Sequence, residues 1–183
     1  MQRGLWLVAP ILAAGLLHVA VIALDLGPSL ARPVDGGRGP GGRPLFGRNK
    51  TWRGFVVMPI ATALTVVARD ALLARAPVRR RYPRAPSWLI GAACGAAYVL
   101  AELPNSFLKR RLGIAPGGRT RHVPVAQYLS DQLDSVIGCV LAVRAFYRID
   151  LVDTAVATAM GGGFHIAVER GMRILPRRRR ARP

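Results

Sequence analysis

Apolar residues in this chain come in long runs, and the polar ones gather in the gaps between them. The first run covers residues 5–24 and is broken only by Pro10 and His18. Crossing roughly 30 Å of hydrocarbon takes about 20 helical residues, so the run predicts a membrane-spanning helix. It is longer than the apolar core of a secretory leader and no small-residue cleavage pattern follows it, which predicts that it is retained. A second run starts at Gly54, passes Val67 and reaches Ala74, with Arg69 and Asp70 near its far end. The third, residues 88–103, carries Gly91, Ala92, Ala93, Gly95, Ala96 and Ala97, small residues suited to close helix packing. A fourth begins at Ser135 and is interrupted by Arg144, and a fifth covers residues 153–168 with Gly161, Gly162, Gly163 and His165. Only residues 148–153 separate the last two, so they read either as two helices or as one long broken element. The pattern predicts an all-α polytopic membrane protein of about five transmembrane helices. A single domain would cover residues 1–176, with a basic tail at 177–183.

Composition sharpens this picture. Of 183 residues 51% are hydrophobic, yet the net charge is +18. A soluble protein must cover its apolar residues with polar ones, whereas here charges sit in blocks that bound apolar runs. Nucleic acid is a common partner of so basic a chain, but cations flanking apolar spans answer more simply to anionic lipid headgroups and membrane orientation. No nucleic-acid partner is expected. Five spans put residues 27–53, residues 104–134 and the C-terminus on one side, which holds 18 of the 27 Lys and Arg residues. The positive-inside bias then faces these loops to the cytoplasm from the cell (inner) membrane, although the arginines of residues 77–86 count against it. Cys94 and Cys139 fall inside apolar runs at a spacing that matches no metal or redox motif.

The candidate chemistry lies in two loops. Only nine residues are acidic, and Glu102, Asp131 and Asp134 gather around the segment that carries Ser106, Lys109, Arg110 and Arg111. On a helix Ser106, Lys109 and Arg110 share a face, so a hydroxyl and two cations would converge on phosphate oxygens. The plainer reading is a cationic anchor snorkelling toward headgroups at the end of a span. Asp131 and Asp134 also share a helical face, where they repel unless a cation lies between them; Mg²⁺ commonly takes one or two carboxylates plus substrate phosphates. Acids complementing a helix start explain the pair equally well. Glu102 sits near hydrocarbon, where an acid is costly and function is the default expectation; it would ligate metal or pair with Lys109 or Arg110. The other loop reads Gly47, Arg48, Asn49, Lys50, Thr51, Trp52, Arg53, Gly54. Lys50, Arg53 and Thr51 suit phosphate there, and Asn49 and Trp52 suit a nucleobase, although Trp more often anchors at the membrane interface. The P-loop spacing is absent.

Together these segments resemble the CDP-archaeol synthases and, through them, the phosphatidate cytidylyltransferase group. Gly47, Lys50, Thr51, Trp52, Arg53 and Gly54 match that family's loop before its second membrane helix. Ser106, Phe107, Lys109, Arg110, Arg111, Gly113 and Ile114 match its second basic loop, and Asp131, Gln132, Leu133 and Asp134 its Asp-Gln-Leu-Asp element. Glu102 stands where the family usually has Asp, and residues 119–130 make a longer connection than usual. The resemblance implies transfer of a cytidylyl group from CTP to a lipid phosphate, phosphatidate-like or archaetidic-acid-like, giving a CDP-lipid and pyrophosphate in phospholipid biosynthesis. It implies Mg²⁺ on Asp131, Asp134 and Glu102. Ser106, Lys109, Arg110 and Lys50 would be catalytic; Asn49, Lys50, Thr51, Trp52, Arg53 and Arg111 would bind substrate. Membrane lipids, CTP and the lipid phosphate are the expected partners. The alternatives are a CTP-dependent lipid kinase and a non-catalytic protein binding anionic lipid. His18, His122 and His165 are read as structural.

Overall fold

The computed structural model describes residues 2–72, 80, 84–118 and 124–174, without the side chains of residues 2–3 and 172–174. The basic tail at 177–183 and His122 lie outside the described residues. Five helices follow one another: α1 Gln2–Ala23, α2 Trp52–Leu72, α3 Ser87–Arg111, α4 Pro124–Phe146 and α5 Leu151–Ile174. Their principal contacts run α1–α2, α2–α3, α3–α4, α4–α5 and α5–α1, which closes the helices into a ring. The fold is all-α, as the apolar runs predict. Among the described residues extended pairing is limited to isolated bridges, Pro33 with Thr51 and Arg80 with Tyr147.

Four of the helices, α1, α2, α3 and α5, are long and apolar enough to cross a membrane. Their outer faces carry exposed leucines and isoleucines such as Leu16, Ile60, Leu64 and Leu100, as a surface solvated by lipid tails requires. Helix α4 has the length, but Asp131, Gln132 and Asp134 occupy its first half. It and α5 are separate helices packed on each other, which settles the open reading of the last two runs.

Two elements extend well beyond their apolar runs. α3 continues through Pro104 to Arg111, and α4 begins at Pro124 instead of at Ser135. Pro104 removes one hydrogen-bond donor and leaves the carbonyl four residues earlier without its helical partner, yet the helix does not stop there. The segment at 104–134, read from its polarity as a loop, is therefore helix over residues 104–111 and 124–134.

Small residues fix how closely the ring closes. A Cβ at Gly91 would lie 2.5 Å from the Thr62 carbonyl oxygen and 2.6 Å from Ala63 Cα; one at Gly95 would lie 2.7 Å from Pro59 Cα. Backbone therefore meets backbone at the α2–α3 crossing, the packing that small residues permit in a membrane. One core cluster gathers Leu7, Ile11, Ile90, Cys94, Cys139, Val143 and Tyr147; a second joins Ala14, Met58, Ala61 and Val99. Both cysteines are buried and unpaired.

The end of the ring remote from the motif loops is tied by a polar network. Arg69 donates to Tyr147 Oη (2.7 Å), to the Trp6 carbonyl (3.3 Å) and to Asp70 (2.7 and 2.9 Å), and Asp70 in turn meets Arg80 and Ser87. One guanidinium thus links α1, α2 and the end of α4.

Candidate functional site

Residues 24–51 return over the opposite end of the ring. The Val34 amide donates to the Lys50 carbonyl (2.9 Å) and the Trp52 amide to the Arg32 carbonyl (3.0 Å), which brings both ends of the loop together at the start of α2. Asp35 fixes the interior. Its carboxylate accepts from the backbone amides of Phe46 (2.8 Å), Gly37 (2.9 Å) and Gly47 (3.1 Å). Burial works to raise the Asp35 carboxyl, but the amides of Phe46, Gly37 and Gly47 outweigh it and hold the group below its ordinary range. Gly47 is thereby held at φ 93°, where only glycine sits without strain. A Cβ there would lie 3.0 Å from Pro116 Cγ and 3.5 Å from Arg110 Nη1. The first loop is seated directly on the second.

Because α3 runs unbroken to Arg111, Tyr98, Glu102, Asn105 and Lys109 fall at i, i+4, i+7 and i+11 and form one stripe along it. Each meets a partner from another element. Glu102 pairs with Lys50 of the first loop. Asn105 Nδ2 donates to Asp131 Oδ1 (2.7 Å) and to Asp134 Oδ2 (3.0 Å). Lys109 Nζ pairs with that same oxygen of Asp131. Tyr98 Oη lies 2.6 Å from Nε2 of His165, which also lies 3.3 Å from Ser135 Oγ. The three motif segments thus meet at one end of the ring, on the side of the membrane that also carries Asp35 and Gly47.

A pocket of about 110 Å³ opens beside this stripe, lined by His18, Asn49, Lys50, Thr51, Tyr98 and Glu102 among others. Lys109, Asp131 and Gln132 border a second, of about 260 Å³. Ser106 and Arg110 flank the stripe and are buried, each 6% exposed. Arg110 Nε and Nη1 have no hydrogen-bond partner among the described residues.

Other predicted residues stand elsewhere. Arg53 is buried and donates to Asp25 (2.9 Å) and to the Leu26 carbonyl (3.3 Å), bracing the exit of α1. Arg111 donates to the carbonyls of Pro40, Arg43 and Pro44 and stacks over the Phe107 ring. Trp52 is 51% exposed and meets Phe55 edge-on. Arg53 and Arg111 are thus engaged by loop oxygens, and Trp52 stands at the surface.

The donor set can be tested for a divalent ion. Two carboxylate oxygens from successive turns of α4 converge on one Asn105 amide, so they are close enough to share a cation, and Asn105 can turn its own carbonyl inward. That suits a two-carboxylate magnesium site completed by phosphate oxygens. Glu102 is engaged by Lys50 instead, and among the described residues no three His, Cys, Asp or Glu side chains are grouped to hold a metal.

The arrangement has relatives. The family model of the CarS-like CDP-archaeol synthases matches residues 3–169. The chain belongs to this family. A CDP-archaeol synthase of Halobacterium salinarum is 40% identical over 108 residues, 58% of this chain and 55% of that protein. One of Methanospirillum hungatei is 34% identical over 125 residues, 67% of this chain and 69% of that one. The matched part therefore spans little more than half the length of the halobacterial relative. A solved structure, described as an intramembrane enzyme for archaeal membrane lipid biosynthesis, superposes with a TM-score of 0.57 at 25% identity, covering 91% of this chain and 92% of that one. Membership fits an integral membrane fold built from apolar helices.

Four polar residues at this end of the ring escape motif reading. Asn105 bridges the aspartates, His18 enters the first pocket from α1, and Asp35 and Asp25 hold the first loop. Asn105 was accessible to a reading that continued the helix through Pro104, because it shares a face with Glu102 and Lys109. His18 interrupts the first apolar run, a signal read as structural alone.

Proposed function

We propose that this chain transfers the cytidylyl group of CTP to a lipid phosphate, of the archaetidic-acid type its relatives' name indicates, releasing pyrophosphate and leaving a CDP-lipid. The observation that carries this reading is the convergence of Lys50, Lys109, Asp131 and Asp134, from three separate segments, on one end of a membrane-embedded ring. Two polyanions must approach each other for the reaction, and that end offers cations and paired carboxylates in reach of headgroup depth.

A phosphate monoester has a second pKa near 6, so the attacking lipid phosphate is already largely dianionic at neutral pH and needs no histidine base. What the chain must supply is alignment and charge neutralisation. Lys50 and Lys109 leave their carboxylate partners for phosphate oxygens, and Arg110, with unpartnered N–H groups beneath the Gly47 turn, adds a fixed positive charge. Ser106 offers a hydroxyl on the same side of α3 as Arg110. Asp131 and Asp134, with Asn105, would hold Mg²⁺, which when bound neutralises the triphosphate and the departing pyrophosphate. The lipid phosphate oxygen forms its bond to the α-phosphorus as the bond to the β-phosphate bridging oxygen breaks, and the electron pair leaves with pyrophosphate. The excess of Lys and Arg on this side supports a cytoplasmic site in the cell membrane, where CTP is available.

The test is to incubate purified protein in lipid micelles with Mg²⁺, CTP labelled at the α-phosphate, and a panel of lipid phosphates. Labelled CDP-lipid with equimolar pyrophosphate is expected. CDP together with a newly phosphorylated lipid, when a lipid alcohol is offered, would identify a kinase; no turnover with any lipid would leave the non-catalytic reading.

A further inference from the structure

Two polar side chains of α5 have no part in the proposed chemistry. His165 and Glu169 lie one turn apart, and with Gly161 they form a stripe that meets α4. A Cβ at Gly161 would lie 2.9 Å from Val136 Cγ1. One turn on, His165 Nε2 lies 3.3 Å from Ser135 Oγ. After another turn, Glu169 Oε2 accepts from Gln132 Nε2 at 2.9 Å. The two helices therefore run past each other in opposite directions and in register, with two polar rungs at the end that carries the motif segments.

The α4 members of these rungs are buried: Ser135 is 0% exposed and Gln132 7%. Each directly follows an aspartate, Asp134 and Asp131 respectively. Successive helical residues stand about 100° apart around the axis, so α4 turns its acids to α3 and the very next residues to α5. Asn105 and Lys109 of α3 take the carboxylates, and the Ser135 amide donates to Asp134 Oδ1 at 2.6 Å. Tyr98 of α3 closes the triangle one level deeper, with Oη 2.6 Å from His165 Nε2 and the two rings tilted at 37°. Polar side chains within membrane-spanning helices are costly, and a function is their default explanation. Adhesion of α5 alone would not place both rungs one residue from an aspartate.

Resting on the proposed reaction, we infer that His165 and Glu169 are positioning residues. Through Ser135 and Gln132 they fix the rotation of α4 about its axis, and with it the direction in which Asp131 and Asp134 face. A helix with its side chains has a radius of about 5–6 Å, so a rotation of about 10° carries a carboxylate through about 1 Å. A misplacement of that size costs about 100-fold in rate. Lys109 reaches Asp131 on a flexible stem that follows such a rotation; the buried rungs resist it. The lipid-facing helix α5, which supplies none of the motif residues, thereby sets the geometry of the acid pair.

The experiment compares wild type with Ser135→Ala, His165→Leu, Glu169→Leu, Glu169→Gln and the double variant Ser135→Ala/His165→Leu. It reads kcat for CDP-lipid formation and, separately, Mn²⁺ binding by electron paramagnetic resonance without nucleotide or lipid. Side chains that orient metal ligands contribute about 10- to 100-fold in metal affinity or activity. Ser135→Ala, His165→Leu and Glu169→Leu should each lower kcat and Mn²⁺ affinity by about that factor. Glu169→Gln, whose carboxamide oxygen still accepts from Gln132, should restore most of both. The double variant should lose no more than the larger single loss, because residues acting along one path are not additive. Tyr147→Phe, at the far end of the ring, controls for stability: it should lower the unfolding midpoint and leave kcat and Mn²⁺ affinity unchanged. Additive losses in the double variant, Glu169→Gln as impaired as Glu169→Leu, or wild-type Mn²⁺ affinity in every variant overturns the inference. If wild type makes no CDP-lipid from any lipid phosphate, the reaction is refuted and the Mn²⁺ arm alone decides the positioning. The same loss and rescue there support it; equal binding throughout, or none in wild type, sinks it.

Discussion

A methyl group added at Gly95 would sit 2.7 Å from Pro59 Cα and 2.7 Å from the Met58 carbonyl carbon. Carbon atoms pack best at about 3.5–4.0 Å, so Gly95→Ala requires α2 and α3 to part by about 0.8 Å or more at that level. The atoms it meets are backbone, not the free end of a side chain, so local rotation cannot relieve the clash. Overpacking of this kind costs about 1–3 kcal/mol. The same displacement acts on the site, because Glu102 lies two turns further along α3 and Lys50 two residues before α2. A misplacement of about 1 Å can cost about 100-fold in rate. We therefore expect Gly95→Ala to lower the thermal unfolding midpoint in detergent and to reduce CDP-lipid formation by about 10- to 100-fold, with Gly91→Ala behaving alike in stability. The measurement is thermal unfolding followed by intrinsic fluorescence, alongside a pyrophosphate-release assay. An unchanged midpoint together with wild-type turnover in Gly95→Ala would refute the close crossing and its link to the site.

Asp131→Asn and Asp134→Asn should each reduce turnover by orders of magnitude while the protein remains folded; near-wild-type CDP-lipid formation in both would exclude the aspartate pair from the chemistry. The Asp35 carboxyl lies below its ordinary range when folded, so its hold on the first loop is complete above the ordinary aspartate range and is lost as pH falls through the lowered value. Limited proteolysis between pH 7 and pH 3 should accordingly show the loop protected until strongly acidic pH in wild type, and cleaved already at neutral pH in Asp35→Ala. At the far end of the ring, Tyr147→Phe removes a hydrogen bond to the Arg69 guanidinium and should cost about 1–2 kcal/mol. Arg69→Met strands Asp70 with Arg80 and Ser87 and should cost more; equal stability of both variants and wild type would show the network to be dispensable.

Apolar runs located α1, α2, α3 and α5 because a lipid-facing surface must be written in the sequence, and they marked only the second half of α4. They could not locate the ends of α3 and α4. Those turns enter the polar region, where neither apolar periodicity nor length distinguishes a helix from a loop, and Pro104 reads as a stop. That one misreading hid Asn105, whose register with Glu102 and Lys109 exists only in a continuous helix. Lys50, Lys109, Asp131 and Asp134 stood out by their types and neighbours, and the fold brings them to one end of the ring. Spacing along a loop does not fix direction, however: Arg53 turns to Asp25, Arg111 to the carbonyls of Pro40, Arg43 and Pro44, and Lys50 to Glu102. Glu102 illustrates the same limit: its expected partners lay nearby in sequence on α3, and its actual partner is Lys50, delivered by a loop more than fifty residues upstream.

Lys50 and Lys109 each rest against a carboxylate, and this matters in a membrane whose surface is crowded with anionic lipids. A bare lysine cluster at headgroup depth would be covered by whichever acidic lipid diffused past, in competition with the proper reactants. Internal partners offset the charge that the two lysines would otherwise show to passers-by. On the proposed reaction, only a ligand bearing enough negative charge to replace both acids gains by entering.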